Sequence, residues 1–183
     1  MILCRENLPV IIENHPFYDS LNKKIISETK GIFYKKGKIN RDGGISNVRA
    51  LKSDPYRISS PSIELVYQWI LNLLRNPQFH GGKLKWVVDN SWLACYREGE
   101  FAVSHAHYPT AYSFVYFVRC PKGSSPLIFT TSGKRIKAEN GKVVIFPGNL
   151  LHHVPKNKCD GRIVLAGNIE EIGETETLVI LKK

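Results

Sequence analysis

From Lys83 onward, short apolar runs alternate with turn signals so regularly that few architectures remain open to the chain. Leu84–Val88, Trp92–Tyr96, Phe101–His107, Ala111–Arg119, Leu127–Thr130, Lys142–Phe146, Leu151–Val154, Arg162–Asn168 and Thr177–Leu181 have strand length and strand composition. Between them lie Asp89-Asn90, Glu98-Gly99, Pro121-Lys122-Gly123, Ser132-Gly133, Asn140-Gly141, Pro147-Gly148 and Asp160-Gly161, all turn chemistry. Many short strands at even spacing predict a β-sandwich or jelly roll rather than a parallel sheet.

Upstream the texture differs. Pro9-Val10-Ile11-Ile12 reads as one short strand. Phe17, Leu21, Ile25 and Ile26 predict a helix from Phe17 to Lys30 that stops at Gly31. Ser60 before Pro61 is an N-cap followed by proline at the first helical position. The stripe Ile63, Val66, Tyr67, Ile70, Leu73 and Leu74 continues that helix to Asn76-Pro77 and faces a sheet. Residues 31–60, with Gly37, Gly43-Gly44 and Asp54-Pro55, are loop-rich: a flap near a site, or a long surface connection. The expected organisation over the 183 residues is a single domain, with 1–82 as helical N-terminal support and 83–183 as a jelly-roll core.

Composition narrows the setting. No apolar run approaches membrane-spanning length, and Arg5, Glu6 and Pro9 interrupt the N-terminus against a signal peptide. The four cysteines form no CxxC pair, which points to reduced thiols in a cytoplasmic setting and against zinc–thiolate binding. A formal charge of +10 favours anionic partners. The densest basic cluster, Lys35-Lys36-Gly37-Lys38 with Arg41, is a solvated loop or a nucleic-acid patch.

Four of the six histidines fall in Ser104-His105-Ala106-His107 and Leu151-His152-His153-Val154. Strand residues two apart share a face, so His105 and His107 can aim at one point, and an imidazole from a distant strand would complete a metal-binding face. Alternation lets only one of His152 and His153 join them. Ten positions after His152, Arg162 opens the apolar strand Ile163-Val164-Leu165-Ala166. A buried guanidinium needs an anion, either a bidentate carboxylate ligand or a salt bridge to Asp160 or Glu139.

At this point a resemblance covers a little under half the chain, from about Trp86 to Asn168. His105-Ala106-His107, the strand Ser113-Phe114-Val115-Tyr116-Phe117-Val118, Pro126-Leu127-Ile128-Phe129, Phe146-Pro147 with His152, and Arg162 with Asn168 resemble the core of the iron(II)/2-oxoglutarate-dependent oxygenases. The likeness is to the prolyl-hydroxylase-like phage and bacterial HxH branch. It implies a double-stranded β-helix, iron(II) as the metal, 2-oxoglutarate as cosubstrate, O2, and hydroxylation of a substrate C–H bond. Carried over position by position, it makes His105 and His152 metal ligands, selects His152 over His153, and gives Arg162 the C5 carboxylate of 2-oxoglutarate. Tyr96 becomes a cosubstrate contact, Tyr116 is a second candidate or a core aromatic, and Phe114, Phe129, Ile145 and Val164 are candidates for a dry wall or, as apolar strand residues, plain core. His107 stands where the family has aspartate, and no acidic residue lies between Phe101 and Ala138 to replace it. Either the site is tri-histidine, or water or substrate takes that position.

Two other readings stand beside this one. A cupin would use the same histidines without 2-oxoglutarate: Gly99 before His105-Ala106-His107 and Gly141 before Pro147 fit parts of its boxes, but the expected glutamate is missing. A basic, non-catalytic jelly roll would bind an anionic polymer. The substrate class is open among proteins, nucleic acids and small acids.

Overall fold

The computed structural model describes residues 8–32, 47–53, 57–75 and 84–172. The expected strand Thr177–Leu181, the basic cluster at 35–41, the Asn76-Pro77 stop, Asp54-Pro55, the glycines at 37, 43 and 44, and Cys4 lie outside those residues. In chain order the elements are β1 (Ile11–Asn14), α1 (Tyr18–Glu28), β2 (Val48–Arg49), β3 (Leu51–Lys52), α2 (Pro61–Leu74), β4 (Lys85–Tyr96), β5 (Phe101–His105), β6 (Tyr112–Arg119), β7 (Leu127–Phe129), β8 (Arg135–Ile136), β9 (Lys142–Pro147), β10 (His152–Val154) and β11 (Arg162–Ile172).

Two antiparallel sheets result. The larger runs β1-β9-β6-β11-β4-β3 and the smaller β2-β5-β10-β7-β8. This is the double-stranded β-helix expected from the sequence, with both helices on the outer face of the larger sheet. Strand alternation divides that sheet's side chains between two cores. Phe114, Tyr116, Val118, Val143, Ile145, Ile163 and Leu165 face the helices. Val115, Phe117, Val144, Phe146, Val164 and Ala166 face the smaller sheet and the space between the sheets.

The helices form as their patterns predict. Ser60 Oγ accepts from the Ile63 amide at 3.3 Å, and Pro61 opens α2. Ile63, Val66, Ile70 and Leu74 are wholly buried. At roughly 1.5–3 kcal/mol each, their burial is what holds a helix too short to persist alone in water. Tyr67 Oη donates to the Ile58 carbonyl and pairs with Ser91 Oγ of β4. The stripe on α1 is narrower than expected: Leu21 and Ile25 are buried, but Phe17 is 74% exposed, because it is the N-cap residue rather than part of the helical face.

The larger correction concerns Asp89-Asn90. These residues do not turn the chain: Leu84–Val88 and Trp92–Tyr96 merge into the one strand β4. Its pairing with β11 steps from Asn168↔Asn90 to Ile169↔Val88 and leaves Asp89 as a bulge. The extra residue shifts the alternation by one. Trp86 and Val88 face the helices before it, Leu93 does so after it, and Trp92, Ala94 and Tyr96 turn to the inter-sheet side. Strands β2, β3 and β8, each of two residues, carry too little pattern to be read in sequence.

Candidate metal centre

The three histidines meet. One ring nitrogen from each of His105, His107 and His152 lies within 4.8 Å of the others. The reason is register: β10 pairs with β5 so that His152 sits directly opposite His105, and their ring centroids are 4.4 Å apart. His107 reaches the cluster by another route. Strand β5 ends at His105, so the two-residue periodicity expected for His105 and His107 does not apply. Instead the His107 amide donates to the Gly148 carbonyl at 2.7 Å, and the Thr110 amide and hydroxyl both donate to the His107 carbonyl. Its ring stands 5.0 Å from His105 and 5.2 Å from His152, centroid to centroid. A β-carbon on Gly148 would collide with Thr110, so only glycine lets that loop close.

Tautomers follow from the remaining hydrogen bonds. His105 Nδ1 lies 2.7 Å from the Val103 carbonyl and His152 Nδ1 lies 2.9 Å from the Leu150 carbonyl. A carbonyl only accepts, so each Nδ1 carries the proton and each Nε2 keeps a lone pair for a metal. Burial also keeps the rings neutral. Desolvation, then the charge of His105, pulls His107 down to about 4. Desolvation takes His152 to about 3 and lowers His105 too. His153 faces outward, its Nδ1 paired with Thr130 Oγ1 at 2.9 Å, so strand alternation excludes it from the cluster.

These shifts fix the sign of an acid response in metal-free protein. Unfolded rings take up protons as pH falls through about 6.5, whereas folded His107 and His152 do not until about 4 and about 3. Stability is therefore lost on acidification across that window, by about 1.4 kcal/mol per pH unit for each ring. Urea midpoints measured on chelator-treated protein between pH 7 and pH 4 would test this, and a flat profile would contradict it.

Arg162, the first residue of β11, is wholly buried in the same cavity. Its Nε donates to the Ser125 carbonyl at 3.0 Å, and its guanidinium lies 4.6 Å from the Tyr96 ring centre and 5.4 Å from that of Phe117. Among the described residues neither terminal nitrogen, Nη1 or Nη2, has a hydrogen-bond partner. Tyr96 meets the cation with its ring face; its electrostatic influence on the guanidinium does not amount to an aligned hydrogen bond. Neither salt bridge open in sequence forms: Asp160 accepts from the Glu98 amide, and Glu139 pairs with Lys137 and Lys142. The other groups acting on Arg162 are thiols, and burial raises that of Cys120 to about 12, so it is uncharged at neutral pH. Desolvation lowers the pKa of Arg162, but a guanidinium begins far above neutrality and stays charged.

Of the expected cosubstrate contacts, Tyr96 lines the cavity and Tyr116 does not. Tyr116 lies on the opposite face of β6, its hydroxyl donating to Asn22 Oδ1 of α1 at 2.7 Å. It is a core tyrosine joining sheet to helix. Among the expected wall residues, Val164 faces the cavity, whereas Phe114 only adjoins it from the helix-side face of β6, its ring packed edge-on against Tyr67 of α2. Phe129 packs edge-on against Phe146, which in turn packs edge-on against His152. Ile145 belongs to the helix-side core. Sequence reasoning missed Trp92, tilted against His107 at 5.9 Å, and the Asn157–Ser125 pair that positions the carbonyl beneath Arg162. The turn signal misread at Asp89-Asn90 had concealed the phase that turns Trp92 inward. Asn157 sits in a loop with no pattern to mark it.

No protein-family model matches the chain, and no curated protein matches it by sequence. Solved structures do. A viral collagen prolyl hydroxylase from Paramecium Bursaria Chlorella virus-1, in complex with 2OG, superposes with a TM-score of 0.67 at 14% identity, covering 87% of this chain and 94% of that one. A Trichoplax adhaerens prolyl hydroxylase in complex with a hypoxia inducible factor peptide gives 0.65 at 13% identity, covering 95% and 87%. A Pseudomonas putida prolyl-4-hydroxylase gives 0.62 at 16%, covering 91% and 94%. At these identities the likeness establishes the fold, over nearly the whole of each chain.

Proposed function

We propose that the protein is an iron(II)- and 2-oxoglutarate-dependent dioxygenase that hydroxylates a C–H bond. The observation that carries this reading is the guanidinium of Arg162, buried with two unpartnered nitrogens in the cavity where three neutral imidazoles converge. An unpaired buried cation is costly unless a ligand completes it, and a planar fork takes a carboxylate in bidentate fashion. A cupin that ignores 2-oxoglutarate would have no use for this arginine.

The donor set fits a divalent transition metal. Three neutral imidazoles, two of them with an Nε2 lone pair fixed by their Nδ1 hydrogen bonds, suit iron, zinc, copper or nickel, and iron is the choice that the family resemblance implies. When bound, the metal and 2-oxoglutarate supply the oxygen-activating chemistry. The chain's own part is to hold and enclose. His105, His107 and His152 would bind the ion, with the rings of His105 and His152 oriented by the Val103 and Leu150 carbonyls. Arg162 would anchor the distal carboxylate of 2-oxoglutarate, with Tyr96 beneath it. Phe146, Val164 and Ala166 would keep water from the reacting atoms.

Residues 83–183 form the catalytic core in this reading, and 1–82 its support. A peptide or protein substrate is favoured by the Trichoplax protein, which is in complex with a peptide. Cys95, Cys120 and Cys159 are free thiols, consistent with a reducing cytoplasm. Among the described residues no helix is long and apolar enough to cross a membrane. The test is anaerobic titration with iron(II) and 2-oxoglutarate, followed by admission of oxygen. Joint binding with a weak visible absorption band, then slow uncoupled release of succinate, is expected. Metal binding that 2-oxoglutarate does not alter would return the assignment to the cupin reading.

A further inference from the structure

Lys52 has no role in the chemistry described so far, yet the fold turns it toward that chemistry. It lies on β3, at the edge of the larger sheet, directly opposite Ala94 of β4. Cross-strand neighbours share a face, and Ala94 lines the metal cavity. Lys52 is thus an inward-facing charge. Its ammonium lies 4.5 Å from the ring centre of Trp92, itself a cavity wall residue tilted against His107. Both residues are half-buried, and Lys52 reaches the cavity wall through Trp92. Lys52 makes no ion pair among the described residues, and its charge is felt at His105 and His107.

The charge balance of the cavity gives that ammonium a purpose. Among the described residues no aspartate or glutamate lines the cavity, and the metal-binding rings are neutral. With one carboxylate of 2-oxoglutarate on Arg162 and the other at the divalent ion, the cavity keeps a net positive charge, and the Lys52 ammonium is the cation that neither carboxylate meets. A carboxylate among the metal ligands would reduce this excess, and here there is none. The remaining reactant, the substrate, is the one species left to balance it.

We propose that Lys52 and Trp92 form a substrate-recognition subsite that takes a carboxylate carried close to the C–H bond to be hydroxylated. The ammonium binds the anion, and the indole face holds the adjoining carbon chain. This specifies the substrate class for the activity proposed above and rests on it. The carboxylate can come from an acidic side chain of a peptide or from a free small acid. Inward charges on edge strands also guard against sheet-to-sheet pairing, so the test must separate recognition from that structural role.

The experiment uses full-length protein loaded with redox-inert zinc and saturating 2-oxoglutarate. Two probe pairs are titrated by calorimetry: blocked tetrapeptides differing only as glutamate versus glutamine, and phenylacetate versus phenylacetamide. Wild type should bind the charged member of at least one pair about tenfold or more tightly than its neutral counterpart. Discrimination by the peptides alone identifies an acidic peptide as the source, and by phenylacetate alone a small acid. Lys52→Met should abolish the preference, and Lys52→Arg should keep it. Equal binding within both pairs by wild type, or a preference that survives Lys52→Met, overturns the proposal. So does a Lys52→Met variant that merely self-associates in sedimentation with its preference intact. If 2-oxoglutarate itself fails to bind, the dioxygenase reading has failed instead, and that is visible before any probe is added.

Discussion

Arg162→Met is expected to weaken 2-oxoglutarate binding by about a hundredfold or more while leaving metal affinity within about threefold. Two charge-assisted hydrogen bonds from Nη1 and Nη2 to one carboxylate, at roughly 1.5–3 kcal/mol each, account for that loss. Nothing in the metal cluster touches the guanidinium: its hydrogen bond goes to Ser125, and its neighbours are aromatic rings. The same substitution should raise the melting temperature of the ligand-free protein. Wild type keeps a charge buried with no ionic partner, and replacing such a group by an apolar side chain of similar length commonly stabilises by about 1–4 kcal/mol. The Ser125 carbonyl left without its donor opposes this by about 1–3 kcal/mol, so the net rise is smaller than the charge effect alone. Calorimetric titration and thermal unfolding read the two effects separately. Unchanged 2-oxoglutarate affinity would remove the anchoring role, and a lower melting temperature would mean that ring contacts already compensate the charge.

His152→Ala should have an effect of similar size on a different ligand. Loss of an outer-sphere partner commonly costs 10–100-fold in metal affinity (roughly, across metalloproteins), so loss of a direct donor should cost more than about 100-fold. Iron(II) or zinc binding would fall out of the micromolar range, and succinate formation would cease. The variant should also show a shallower acid dependence of stability, because one of the rings held neutral by burial is gone. His153→Ala is the matched control: its ring pairs with Thr130 on the outer face of the smaller sheet. Metal affinity should be unchanged there. If His153→Ala lost metal and His152→Ala did not, β10 would have to pair in the opposite register, and the cluster as described would be wrong.

Much of this was legible before any coordinates. Turn chemistry punctuating short apolar runs is a local signal, and local signals survive folding; the jelly roll and both helices follow from it. His152 was preferred over His153 by its spacing to Arg162, and the pairing of β10 with β5 supplies the physical reason. Errors arose where a local signal had two meanings. Asp89-Asn90 has turn composition, but paired against β11 it forms a bulge, and the bulge decides that Trp92 rather than its neighbours looks into the cavity. Tyr116 lay in a strand of the right kind, but its face depends on phase within the whole sheet. His105 and His107 were expected to converge by strand alternation; they converge because Gly148 catches the backbone of His107 after the strand has ended.

By itself the sequence determined the class of fold, the imidazoles available to a metal and the one arginine spaced to join them, because periodicity, turn residues and side-chain chemistry are properties of short segments. Only the tertiary structure decided that Arg162 is buried without an acid, that Tyr116 turns away, and that Lys52 sits over Trp92 in the cavity wall. Those facts depend on which residues distant in the chain become neighbours, and strand register, fixed by packing of both sheet faces at once, is what sets them.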